Sequence, residues 1–296
     1  MTGTVPAVAA AADSVPQQQS AGAGTVFTWL GNSGWRIEGS GKTVLFDPYL
    51  TRFPTHGFDA KTPLTVATEV VDRHIGEPDL ILVSHSHWDH VNDVPHIAKT
   101  SRAPVVGTAT TCYLLQAMGV DPGQLITVKG GEVLDFGGCT VQVVASLHSR
   151  NAKHRYWAPG TLTAPPAKAP ETIGELPEGD TLAFQVRLDD GPSTLLTGAS
   201  DFIEHTFAGL RPDVAMIATE STARATYRYV PRILKTLEHP RTIIPVHWDT
   251  FESPLTDPAV QDPSMDLDGL TAQVRALAPR SRLIRPEHLV SLRLHA

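Results

Sequence analysis

The chain is poor in several things, and each scarcity removes a class of protein. Only two of 296 residues are cysteine, Cys112 and Cys139. Neither sits in a metal-type spacing, and two thiols cannot build a disulfide framework. A single Cys112–Cys139 bridge stays open, although small buried thiols are the simpler expectation. No apolar run reaches the roughly 18 residues needed to cross a bilayer, so no transmembrane segment is expected. Basic residues are outnumbered, 24 Lys and Arg against 31 Asp and Glu, for a net charge of −7. That balance argues against a general nucleic-acid binder. No Lys or Arg precedes Arg36, so the basic start of a signal peptide is missing. Residues 1–24, built from Ala, Gly, Pro, Ser, Thr, Val and Gln with Asp13 as the one charge, have the composition of a disordered tail. A cytoplasmic protein is the expectation; an exported one is the alternative, if residues 1–24 are the remnant of a processed signal region.

What the chain does contain is an ordinary globular composition, 41% hydrophobic and 19% charged, with ample material for a core. From Thr25 onward it alternates strand-like and helix-like stretches. Val26–Leu30, Trp35–Glu38 and Lys42–Phe46, separated by Gly-rich turns, read as an antiparallel meander. Leu80–Val83 is a buried strand. Helices are expected at Thr68–His74, Val94–Thr100, Thr108–Met118, Ile203–Leu210, Tyr229–Leu237 and Leu267–Ala278. Strands are expected at Pro104–Gly107, Leu125–Val128, Glu132–Asp135, Cys139–Ala145, Thr181–Leu188, Ser193–Thr197, Val214–Ala218, Thr242–Val246, Ser281–Ile284 and Val290–Leu294. Strand-rich stretches interleaved with single helices point to an α/β protein with two sheets between helices. Residues 150–179, rich in proline and without periodicity, form a long insertion of the kind that serves as a lid or pocket wall.

The densest chemistry lies at His85-Ser86-His87-Trp88-Asp89-His90, directly after the apolar Leu80–Val83. In extended chain, His85 and His87 project to one side and can meet one ion. If the chain turns, Asp89 and His90 can face a second. Neutral imidazole and carboxylate are ligands that zinc accepts. By chance such a pattern should arise in about one of a thousand chains of this His content. The arrangement recurs: His148, Asp201 and His247 each stand just beyond an apolar strand, where sites in layered α/β folds are built.

On these residues, with Trp29-Leu30-Gly31-Asn32-Ser33-Gly34, Leu45-Phe46-Asp47-Pro48 and Ile244-Pro245-Val246-His247-Trp248, the chain resembles the metallo-β-lactamase superfamily, in its lactonase-like and phosphodiesterase-like branch. The resemblance covers residues 25 to about 295. It implies a four-layer αββα sandwich over 25–296 and a dinuclear centre, zinc first, with manganese or iron as alternatives. His85, His87 and His148 would hold one ion, and Asp89, His90 and His247 the other. An aspartate after the 193–197 strand would bridge them. There the chain departs from the family's Gly-Asp and reads Gly198-Ala199-Ser200-Asp201. Either the loop bulges to deliver Asp201, or the bridge is missing and the second metal weak. Asn32 also stands where many relatives carry histidine.

The function implied is hydrolysis by water attack on an ester, lactone or related acyl bond of a small molecule. Asp89 would orient the nucleophile and carry its proton. Asp47 is a candidate acceptor for a ligating imidazole N–H. His154, Tyr156 and Trp157 in the insertion are candidate substrate-binding residues. The alternatives are phosphodiester or phospholipid hydrolysis at the same centre and, from another class, a non-catalytic metal-binding member of the fold. His56, His74, His96, His239, His288 and His295 are read as ordinary loop or surface histidines. The sequence carries no signal for oligomeric state.

Overall fold

The computed structural model describes residues 24–189 and 191–296. The tail expected at residues 1–24 therefore lies, but for Gly24, outside the described residues. Strands β1 (Thr25–Trp29), β2 (Trp35–Gly39) and β3 (Lys42–Phe46) form the antiparallel meander. Helix α1 (Thr68–Ile75) leads to β4 (Leu80–Leu82), which lies parallel to β3. Helices α2 (Trp88–Val91) and α3 (Val94–Ser101) lead to β5 (Val105–Gly107), and α4 (Ala109–Ala117) leads to β6 (Leu125–Thr127), both parallel additions.

The second half repeats this plan. β7 (Val133–Asp135), β8 (Cys139–Ala145), β9 (Leu182–Leu188) and β10 (Thr194–Thr197) are antiparallel. Then α5 (Glu204–Phe207), β11 (Val214–Ala218), α6 (Tyr229–Thr236), β12 (Thr242–Val246), α7 (Leu267–Leu277) and β13 (Arg282–Leu283) add parallel strands. Finally β14 (Ser291–Leu294) returns to pair with β1. Two seven-stranded sheets result, ordered β14-β1-β2-β3-β4-β5-β6 and β13-β12-β11-β10-β9-β8-β7. The repeat is structural; the two halves share no visible sequence repeat.

The layering follows from which faces are apolar. β4 and β11 are buried throughout, as parallel strands covered on both faces must be. Between the sheets a core runs from Phe27, Trp35 and Phe46 to Val141, Phe184 and Val186, with Phe46 edge-on to Phe184 at 6.2 Å. A second core under Leu195, Ala215 and Ile217 is closed by Phe207, Ile233, Leu234, Leu270 and Val274 from the outer helices. The αββα sandwich expected from the sequence is present. Thr108 accepts from Thr111 N–H to cap α4, and Asp266 accepts from Gly269 N–H to cap α7. The helix expected over 203–210 is only one turn, the chain turning extended at Ala208. Cys112 and Cys139 are free and buried, so no bridge joins them.

Two features aim this frame at one rim. Parallel register, Leu45 opposite Ile81 and Leu196 opposite Met216 opposite Ile244, brings the ends of β3, β4, β10, β11 and β12 to the same edge. Trp29 stacks on Trp248 at 5.0 Å, tying the turn after β1 to the loop after β12. A pair of this kind adds about 0.5–1.5 kcal/mol beyond its burial. Gly198 ends β10 where a Cβ would stand 2.0 Å from Ser84 Oγ and 2.7 Å from Asp47 Oδ2, so only glycine lets these strand ends close. Among the described residues no helix is long and apolar enough to cross a membrane.

Candidate metal centre

At that rim two groups of potential ligands gather: His85, His87 and His148, and Asp89, His90 and His247. Within each group the ligand-type atoms all lie within 4.8 Å of one another. The strand ends explain the arrangement. The loop after β4 reaches His87, the N-cap of α2, and that single turn carries Asp89 and His90 toward His247 at the end of β12. His148 comes from the segment following β8.

Proton assignments follow from the partners. Ser84 Oγ has one hydrogen and gives it to the Asp47 carboxylate at 2.6 Å, so His85 Nδ1 donates to Ser84 Oγ at 3.0 Å. His87 Nε2 lies 2.9 Å from the Trp157 carbonyl, and His148 Nδ1 lies 2.8 Å from the Ser149 carbonyl. A carbonyl oxygen only accepts, so both nitrogens are donors. Each imidazole of this group is left with one bare lone pair, and those of His85 Nε2 and His87 Nδ1 meet at 3.1 Å. Burial holds both rings well below the ordinary histidine pKa, and the neighbouring imidazoles push the same way. Two facing lone pairs repel unless a cation sits between them.

The second group is built around a carboxylate. Asp89 Oδ2 lies 3.3 Å from both His90 Nε2 and His247 Nε2 and accepts from Asn32 Nδ2 at 2.9 Å. His90 Nδ1 donates to Asp47 Oδ2 at 2.7 Å, the role anticipated for Asp47. Burial opposes the charge on His90, but Asp89 and Asp47 outweigh it and lift its pKa to about 10. Burial likewise opposes the charge on Asp89, and His90 and His247 hold its carboxyl well below the usual range. His247 is set at φ +60°, and its buried Nδ1 has no partner among the described residues. A strained backbone and an orphaned nitrogen at one residue mark a functional position. Three neutral nitrogens in one group and two nitrogens with a carboxylate in the other are a donor set that zinc accepts.

Both groups border one cavity of about 230 Å³, lined by His87, Asp89, His148 and His247 with Trp88, Phe58 and Phe251. The 150–179 insertion reaches this cavity through Asn151, Arg155 and Trp157. The other two expected substrate residues do not line it. His154 is exposed, and Tyr156 packs behind His148 at 6.0 Å under the Arg150 guanidinium.

Asp201 also stands elsewhere. It forms an isolated antiparallel bridge with Leu147, and its carboxylate turns to Phe202 N–H (2.9 Å) and Arg232 (3.6 Å). The bulge that was to deliver it does not do so, and Ala199 is buried in the expected place. The structure instead brings in residues the sequence reading passed over. Asn32 grips Asp89 through both its carbonyl and its carboxylate. His288, read as an ordinary loop histidine, is buried and bonds Asp249 at 2.9 Å, while Asp249 anchors Asn32 N–H at 2.8 Å. Glu220 is buried on the cavity wall. The signal for Glu220 was available: it stands two residues beyond the fully apolar β11.

Known proteins resemble this chain in sequence and in fold. Residues 26–247 match the model of the β-lactamase superfamily domain. A metal-dependent hydrolase of Polynucleobacter asymbioticus is 28% identical over 241 residues, covering 78% of this chain and 76% of its own. Among solved structures, a metallo hydrolase from the archaeon Ignicoccus hospitalis superposes with a TM-score of 0.58 at 18% identity, over 91% of this chain and 99% of that one. A diiron β-hydroxylase from Streptomyces venezuelae shares the fold at a TM-score of 0.58 and 14% identity, over 92% of this chain and 54% of that one. The fold, the paired ligand groups and these matches place the chain in the metallo-β-lactamase superfamily, as a metal-dependent hydrolase.

Proposed function

We propose that the chain is a zinc-dependent hydrolase that cleaves an ester, lactone or related acyl bond of a small molecule. The observation that carries this reading is the opening of both ligand groups onto one cavity of about 230 Å³. His85, His87 and His148 hold one ion, and Asp89, His90 and His247 the other. Zinc held there would lower the pKa of a bound water to about 7 and polarise the substrate oxygen. The protein's own groups do the rest. Asn32 fixes Asp89 Oδ2, while Asp89 Oδ1 takes no protein hydrogen bond among the described residues. That free oxygen receives the nucleophile's proton and passes it to the leaving group. Asp47 and the Trp157 carbonyl hold His90 and His87 in their ligating tautomers. Trp157, Phe58 and Phe251 wall the cavity against water.

A second reading, phosphodiester hydrolysis, is favoured by one observation. Arg155 borders the cavity and makes no ion pair among the described residues, so it is available to an anionic substrate. Parallel assays on an aryl ester, a lactone and a bis-aryl phosphodiester separate the two. Turnover of the ester or lactone, abolished by chelation and restored by zinc, is the expected result. Turnover of the phosphodiester alone transfers the assignment to the second reading, and activity untouched by chelation contradicts both.

A further inference from the structure

The six residues of the two ligand groups bring a single negative charge, that of Asp89, to a centre that is to hold two divalent ions. Among the residues lining the cavity there is one other carboxylate, Glu220. It stands just beyond β11, the strand between β10 and β12, at the rim where His247 leaves β12. His247 and His148, one from each group of ligands, line the same cavity wall as Glu220.

Its hydrogen bonds leave a place for a cation. Oε1 accepts from Ser149 Oγ and from Ser200 N–H, the latter at 2.7 Å, and Oε2 accepts from Ser200 Oγ. An ionised carboxylate has about four lone-pair sites, so one remains on Oε2. Those donors are neutral, so no protein cation is bonded to Glu220 among the described residues. Asp201, by contrast, is turned away and answered by Arg232. The loop that displaces Asp201 also puts Ser200 where its N–H and hydroxyl clasp Glu220.

We propose that Glu220 is the second carboxylate of the metal centre, available through Oε2 and supplying the second negative charge that Asp201 does not supply. This rests on the dinuclear reading above. Ser149 and Ser200 orient the carboxylate, and Ser149 couples it to the segment that carries His148.

The test is metal binding, read by elemental analysis, calorimetric titration and the visible spectrum of the cobalt-substituted protein. Wild type is expected to bind two ions. Glu220→Gln keeps the shape of the side chain and an acceptor for the serines but removes the charge. It is expected to weaken the second ion at least tenfold and to change the cobalt bands. Asp201→Asn, which removes a carboxylate already answered by Arg232, is expected to retain two ions and the wild-type bands. Should Glu220→Gln not fold, Glu220→Asp, one methylene too short, is expected to show the same loss. Two ions at wild-type affinity with unchanged bands in a folded Glu220 variant overturn the assignment and leave the dinuclear reading standing. Fewer than two ions in the wild type overturn both.

Discussion

His85 Nε2 and His87 Nδ1 face each other across 3.1 Å with a lone pair on each and no proton between them. The opposite nitrogen of each ring is committed as a donor, to Ser84 and to the Trp157 carbonyl. Neither ring can flip its tautomer without forfeiting that bond. An ion in this gap turns repulsion into coordination, so the native state should be markedly more stable when it is filled. At zinc a hundredfold above its dissociation constant, the linkage is worth about 2.7 kcal/mol. For a chain of this size that raises the melting temperature by about 4–5 °C. Differential scanning calorimetry with zinc and with a chelator checks it; a melting temperature indifferent to both contradicts it.

Asp47 serves both groups at once, accepting from His90 directly and from His85 through Ser84. Asp47→Asn keeps the size but gives Ser84 and His90 a weaker acceptor. Metal affinity should fall about 10–100-fold. Competition with a chromogenic chelator measures this, and affinity within a factor of two of wild type would refute the positioning role.

Asp249 sits at the centre of a buried network, bonded to Asn32 N–H and His288 and 3.4 Å from the Arg52 guanidinium. Burial raises its pKa, yet Arg52 first and His288 next bring it below the ordinary 3.8. A depressed folded-state pKa means the stabilisation is present above pH 3.8 and is lost as pH falls through the folded value. Asp249→Ala leaves Arg52 buried without its partner and should cost about 3–5 kcal/mol. It should also flatten the acid limb of the stability curve. Urea unfolding of wild type and variant between pH 3 and 7 reads both; parallel curves with a small offset would show the network to be unimportant.

The fold was legible because its signals are local. β4, β11 and β12 announce themselves as short apolar runs, and α4 and α7 carry their caps, Thr108 and Asp266, in the sequence. The residues that gather in two groups at the rim could be picked out because His85, His148 and His247 lie just beyond strands and Asp89 and His90 belong to the same short motif as His85. Asp201 fits that rule too, and fails it for a reason the sequence does not hold. The bridge to Leu147 and the pull of Arg232, 31 positions further on, are tertiary facts. His288 and Asn32 were undervalued for the same cause, since their partners Asp249 and Asp89 are 39 and 57 positions away. The insertion over residues 150–179 reaches the cavity through Asn151, Arg155 and Trp157, and which of its side chains face the cavity depends on its packing. His154 and Tyr156 turn away while Trp157 turns in.

The central claim is that these side chains form a two-ion centre. Elemental analysis of protein purified without chelator and dialysed against zinc tests it most directly. The account predicts close to two ions per wild-type chain and at most one in His85→Ala. Fewer than one ion in the wild type, unchanged by His85→Ala, would contradict it.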